Sequence, residues 1–270
     1  MGITLAVFRS TTTQCEKGIR AKKMLRLLCI TAHPDDEAGG FGGTLFQYAQ
    51  RGVETHVLCL TPGQAATHRG GAKSDDELAQ MRRKEFAASC KLLRVTSGTV
   101  LDYPDGKLYQ QSFYLTVADL TRHIRQIRPH VVITMGPEGS VTAHPDHSMT
   151  SVMGTMAFHW AGRTNRFQDQ LEAGSTPHRA QKLYYGTTSF TLRDRQPVAM
   201  PPTSAIIEVG KEGLETKIAA FKCHTSQAPL FPLFEEMVRR RGTQELFHLA
   251  ASSTPRKMEM ERDLFAGVTE

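Results

Sequence analysis

Short apolar runs recur along the chain and alternate with longer amphipathic stretches. Residues 25–31, 55–61, 99–101, 130–135, 182–187 and 205–209 are rich in Val, Leu, Ile and Tyr and read as strands. The first, second and fourth lack polar alternation, as strands buried on both faces of a parallel sheet do. Residues 43–50, 75–93, 115–128, 148–161 and 212–222 read as helices. Asp75, Asp76 and Glu77 crowd the start of the second helix, where the helix dipole favours acids. Pro129 closes the third. This β-α-β-α rhythm predicts an α/β fold, a Rossmann-like, doubly wound and mostly parallel sheet with helices on both faces. Residues 163–181 and 191–204 are polar or proline-containing and read as loops, and the tail is less regular. The expectation is a single domain over 24–270 with an elaborated C-terminal third, behind an N-terminal extension, 1–23, expected to be disordered.

Charge changes the picture little. Of the formal net charge of +6, the extension holds +4, from Arg9, Lys17, Arg20, Lys22 and Lys23 against Glu16. A nucleic-acid groove needs its cations on the folded body, so no nucleic-acid partner is expected. No apolar run is long enough for a membrane span. The extension places its short apolar stretch before its basic residues, the reverse of a secretory signal. Cys15, Cys29, Cys59, Cys90 and Cys223 are odd in number, widely spaced and without a C-x-x-C pair. They read as reduced thiols of a cytoplasmic protein.

Candidate chemistry sits directly after two strands. His33-Pro34-Asp35-Asp36-Glu37 follows the first, at the strand end where open α/β sheets collect ligands. Four ionisable side chains in five residues would repel and desolvate one another if buried alone, and a divalent cation compensates them. Pro34 supports a turn that brings His33 and Asp36 onto one ion. A second cluster, His144-Pro145-Asp146-His147, follows the fourth strand, with Pro145 suited to a first helical turn and His144 to a cap. With strand order 3-2-1-4-5 the two clusters face each other across the switch point. Two histidines, one carboxylate and an open position form a catalytic zinc arrangement. The glycine-rich Gly39–Gly43 lacks the dinucleotide fingerprint, follows three acids, and has no acid closing the second strand, so NAD binding is rejected.

These paired clusters resemble the LmbE-like/PIG-L family of zinc-dependent N-acetylglucosaminyl deacetylases. Gly42-Gly43-Thr44-Leu45, Thr61-Pro62-Gly63, Arg82-x-x-Glu85, Tyr103-Pro104-Asp105-Gly106 and His224-Thr225-Ser226-Gln227 extend the match from about residue 25 to 247. The resemblance implies hydrolysis of the N-acetyl amide of an N-acetylglucosamine-type sugar or conjugate. It implies zinc on His33, Asp36 and His147, although two histidines and an aspartate also accept iron or cobalt. Asp35 is implied as general base, His144 as oxyanion donor, and Asp146 as the residue orienting His144. Gln64, Arg82 and Asp105 match substrate-contacting positions. Two departures stand out. Gln64 occupies the place of a glutamate common in the family, and Thr142-Ala143 precede His144 where relatives carry an aromatic and a glycine. The resemblance further implies a homo-oligomer, a trimer or hexamer. His224 and Gln227 are expected to brace the C-terminal part against the site. The alternatives are a zinc amidase cleaving a larger sugar–thiol conjugate, and a sugar-binding protein without turnover.

Overall fold

The first apolar run becomes β1 (Arg26–Thr31), at the middle of the parallel part of the sheet in a computed structural model that describes residues 24–187, 199–255 and 257–269. Leu27 and Cys29 join Phe41, Leu45 and Phe86 in one core, whereas Leu28 and Ile30 join Leu120, Ile124 and Met153 in another. Both faces of β1 are covered, so it carries no polar alternation. β2 (Glu54–Cys59) and β4 (Val131–Met135) pair with β1 in parallel, one on each side. β3 (Ser97–Val100) lies beyond β2 and β5 (Lys182–Gly186) beyond β4. This is the expected 3-2-1-4-5 order.

The helices cover both faces. α1 (Asp36–Gln50), α2 (Asp75–Leu92), α6 (Gly210–Phe221) and α7 (Phe231–Arg241) pack on one side. α3 (Phe113–Ile127) and α4 (Pro145–Ala161) pack on the other, and a short α5 (Gln168–Glu172) lies within the stretch read as loop. Among the described residues, no helix is long and apolar enough to cross a membrane. The expectations for residues 1–23 lie outside the described residues, as does most of the loop expected at 191–204.

Two differences from the sequence reading shape the site. Helix α1 begins at Asp36 and not at Gly43, so the glycine run is helical. A Cβ on Gly43 would stand 2.9 Å from both methyls of Val209, and the bare backbone lets α1 approach the start of α6. The tail contributes β7 (Gln244–Ser252), antiparallel to both β5 and β6 (Ala205–Glu208), and the full order is β3-β2-β1-β4-β5-β7-β6. Buried Glu245 of β7 accepts from the backbone N–H groups of Gly43 (3.0 Å) and Thr44 (2.9 Å) and pairs with Lys217 at 2.6 Å. That carboxylate ties the tail to α1 and is fully satisfied in doing so.

Candidate metal centre

The loop after β1 and the loop after β4 meet at the switch point, as β1 and β4 are neighbours. Asp35 is the N-cap of α1, in the left-handed region at φ 108°, where a non-glycine residue is strained. Asp36 follows in the first turn, and its Oδ2 accepts from the His33 backbone N–H at 2.8 Å. After β4, His144 caps α4 and its Nδ1 accepts from the Asp146 backbone N–H at 3.1 Å, with Pro145 in the first turn as expected. His147 projects from that same turn.

His33, Asp36 and His147 converge. His33 Nδ1 lies 3.3 Å from His147 Nε2 and 3.5 Å from Asp36 Oδ2, and His147 Nε2 lies 3.2 Å from Asp36 Oδ1. Two donors on a tetrahedral ion at about 2.0–2.1 Å stand about 3.3–3.4 Å apart. The outer nitrogens settle the tautomers. His33 Nε2 faces Asp105 Oδ1 at 2.9 Å and Asp146 Oδ2 at 3.4 Å, and His147 Nδ1 faces the Gly139 carbonyl at 3.1 Å. The Gly139 carbonyl calls for N–H on His147 Nδ1, which turns the His147 Nε2 lone pair toward His33 Nδ1 and Asp36. A proton on His33 or a metal cation relieves this crowding of acceptors, and a donor set of two imidazoles and a carboxylate fits a cation such as zinc.

A ring nitrogen of His144 lies within 4.8 Å of those of His33 and His147. Its Nδ1 lone pair is committed to the Asp146 N–H, so neutral His144 carries its proton on Nε2. In that tautomer it presents an N–H donor. Burial, with the nearby His33 and His147, lowers its pKa and favours that neutral form. His33 behaves oppositely. Burial pulls its pKa down, but Asp105, Asp146 and Asp36 outweigh burial and raise it well above the usual value. Burial opposes ionisation of Asp36, yet His147 and His33 hold it well below the carboxylate range. The cluster stabilises positive charge at this point.

Asp35 has a different partner from His33, Asp36 and His147. Its Oδ2 accepts from Arg82 Nη2 at 2.7 Å, and Arg82, only 2% exposed, also donates to the Gly63 carbonyl at 2.9 Å and to the Pro34 carbonyl. Burial pushes the Asp35 carboxyl up to about 6, against Arg82 and aided by the charge of Asp36. Its backbone N–H donates to Glu37 Oε2 at 2.9 Å. Glu37 is fully buried and bound by Ser89 Oγ at 2.5 Å and His224 Nε2 at 2.7 Å. His224 thus braces the strained turn, and Gln227 holds the His68 carbonyl at 3.0 Å.

Other expected residues fall differently. The Asp146 carboxylate meets His33 and the backbone N–H groups of Gly106 (2.7 Å) and Leu108 (3.1 Å), not the His144 ring. His144 is oriented by the Asp146 backbone instead. Asp105 accepts from the Ala65 N–H at 2.8 Å and supports His33. Arg82 and Asp105 both line the cavity over the centre, together with Ala65, Thr67 and His68, whereas Gln64 does not. Thr142 lines it too, with Oγ1 3.3 Å from His147 Nδ1. The sequence reading missed Arg82 as the partner of Asp35, Gly139 as that of His147, and an apolar wall from α6 and α7. The first had a signal in the Arg82-x-x-Glu85 motif; the others had none.

The PIG-L family, described as GlcNAc-PI de-N-acetylase, matches residues 28–158. The diacetylchitobiose deacetylase of Thermococcus kodakarensis is 31% identical over 217 residues, 79% of this chain and 75% of that protein. The 1D-myo-inositol 2-acetamido-2-deoxy-alpha-D-glucopyranoside deacetylase 2 of Catenulispora acidiphila is 27% identical over 90% of this chain and 97% of that one. In structure, the N,N'-diacetylchitobiose deacetylase of Pyrococcus horikoshii superposes with a TM-score of 0.70 at 26% identity, over 84% of each chain. By sequence and by fold, the chain belongs to the PIG-L family.

Proposed function

We propose that the protein is a metal-dependent N-deacetylase that hydrolyses the acetamide of an N-acetylglucosamine-type sugar, releasing acetate and the free amine. The observation that carries this reading is the convergence of His33 Nδ1, His147 Nε2 and the Asp36 carboxylate at 3.2–3.5 Å from one another, with the Asp35 carboxylate and the His144 ring lining the same cavity. The relatives named above, deacetylases by name, support the same reaction. Zinc is the metal of this reading, held by His33, Asp36 and His147. When bound, the cation supplies Lewis-acid polarisation of the amide carbonyl and a water nucleophile at neutral pH.

The chain's own groups do the rest. Asp35 takes a proton from the attacking water and returns it to the departing nitrogen. Arg82 and the Asp35-to-Glu37 hydrogen bond fix that carboxylate in place. His144 Nε2–H donates to the oxygen as negative charge develops on it. Asp105 and Asp146 hold His33 in the ligating tautomer. Sugar hydroxyls are assigned to the loop at 65–68 and to Asp105, which line the cavity.

A homo-oligomer belongs to the same reading, supported by exposed Tyr109, Tyr114 and Leu115. A cytoplasmic location also belongs to it, supported by the unpaired thiols of Cys29, Cys59, Cys90 and Cys223.

The test is chelation followed by zinc restoration, with primary amine measured from N-acetylglucosamine and its disaccharide. The reading requires amine release that disappears with the metal and returns with it. Metal-independent release, or none under any loading, refutes it.

A further inference from the structure

The loop that follows β2 reaches the metal centre, and its shape is fixed from α2. Arg82 and Glu85 stand three residues apart on that helix and so share one face. Arg82 donates to the Gly63 carbonyl at 2.9 Å, at the start of the loop. Glu85, only 7% exposed, accepts from Thr225 Oγ1, the Ser226 N–H and Ser226 Oγ, each at 2.7 Å. Gln227, next in that turn, donates from Nε2 to the His68 carbonyl at 3.0 Å and to Ser226 Oγ at 3.2 Å. Gly70 then passes so close to the turn that a Cβ on it would stand 2.7 Å from Ser226 Cα. Both ends of the stretch 63–70 are thereby tied to α2, one through Arg82 and the other through the turn that Glu85 holds.

Two polar groups on this clamp are left unused. His68 lines the cavity over the metal centre, and its ring makes no hydrogen bond, ion pair or ring contact with a described residue. An imidazole carries at least one N–H in either protonation state. Gln227 lines the same cavity and is only 4% exposed. The Ser226 hydroxyl gives its hydrogen to Glu85 and the His68 carbonyl has none to give, so both call for the amide NH₂ and settle its orientation. Gln227 Oε1 is then an acceptor that no described residue fills. A hydroxyl donates one hydrogen bond and accepts others, so a paired N–H and carbonyl oxygen suit it. An anionic group finds one donor there and is repelled by Asp35, Asp36 and Asp105, which line the same cavity.

We propose that His68 is a specificity-determining residue: its imidazole N–H and the Gln227 carboxamide oxygen together read one hydroxyl of the sugar whose acetamide lies at the metal centre. This rests on the deacetylase reading and names the substrate group that this side of the cavity recognises. Gln227 acts twice, as the acceptor for that hydroxyl and as the residue that positions His68 through its carbonyl. A site built around such a pair rejects a sugar lacking the hydroxyl, because its own polar groups are then left without partners.

The experiment is a cycle of enzyme and substrate changes. Zinc-loaded parent and His68→Ala are assayed for amine release from N-acetylglucosamine and from its 3-, 4- and 6-deoxy analogues. On the full sugar, His68→Ala is expected to raise KM by about three- to tenfold, the worth of one neutral hydrogen bond, with kcat within about twofold. One deoxy sugar loses a similar factor with the parent and nothing further with His68→Ala, whereas losses on the other two are independent of residue 68. Gln227→Leu removes the acceptor and couples to the same deoxy sugar. His68→Asn keeps a side-chain N–H and recovers part of the loss on the full sugar. Calorimetric binding of the same sugars to Asp35→Asn, with and without His68→Ala, reads the cycle without turnover. Amine release with independent losses on every deoxy sugar overturns the hydroxyl reader and leaves the deacetylase reading intact. Coupled binding with no amine release from any sugar refutes the deacetylase reading and keeps the reader. A fall in kcat at unchanged KM on every sugar places His68 in the chemical step and overturns the proposal.

Discussion

Arg82 Nη2 donates to Asp35 Oδ2 at 2.7 Å, and the same guanidinium ties the carbonyls of Pro34 and Gly63 together. One buried cation therefore holds the proposed base, the turn before it and the loop after β2. Replacing Arg82 by Ala leaves Asp35 in a strained, poorly solvated turn without its partner. The expected cost is about 3–5 kcal/mol of stability, read from urea midpoints. Arg82→Lys keeps the charge but loses the planar fork that reaches three acceptors, and recovers only part of that stability.

His144 is expected to act in the transition state and not on the metal. Its Nδ1 is committed to the backbone of Asp146, leaving Nε2–H as donor. His144→Ala should retain full metal content, measured by elemental analysis, and lose about 10²–10³-fold in kcat. Loss of metal in this variant would move His144 into the ligand set.

The pair of His224 and Glu37 gives stability its own pH signature. Burial lowers the pKa of His224, but Glu37 at 2.7 Å, with Asp35 near, raises it overall. A histidine whose pKa is raised by folding contributes stability fully below its unfolded value of about 6.5. That contribution is lost as pH rises through the folded value. His224→Gln should be less stable than the parent at pH 6, with the gap narrowing toward pH 9, followed by thermal midpoints across that range. A constant gap contradicts the assignment.

Close packing of α1 on the start of α6 is testable at one atom. Gly43→Ala drives a Cβ to within 2.9 Å of Val209 and is expected to destabilise by about 1–3 kcal/mol. Adding Val209→Ala should recover part of that loss, as neighbours in contact are coupled. Additive losses in the double variant would mean the contact is not the cause.

Much of this was legible in the residues, for physical reasons. β1 and β4 announce themselves because burial on both faces forces consecutive buried positions, and β2 does so in its second half, Val57–Cys59. The two clusters announce themselves because so many ionisable groups at strand ends need compensation. Helix α1 starts earlier than its pattern predicts, since its glycines depress helix propensity and the reason for Gly43 lies in Val209, far away in sequence. β7 escaped because a glutamate stands at a buried strand position, explained only by Lys217 and the N–H groups of Gly43 and Thr44. The partner of the Asp146 carboxylate proved to be His33 and not its neighbour His144, since a helix N-terminus turns backbone and side chain in different directions. The apolar wall was invisible because α6, α7 and the turn between them contribute one residue at a time.

In the proposed mechanism Asp36 holds the metal and Asp35, one residue earlier, holds the proton. Zinc content and amine release measured side by side on Asp35→Ala and Asp36→Ala test it directly. Asp35→Ala is expected to keep about one zinc per chain and to lose about 10²–10⁴-fold in activity, while Asp36→Ala loses both. An Asp36→Ala protein that is metal-free yet active would contradict it.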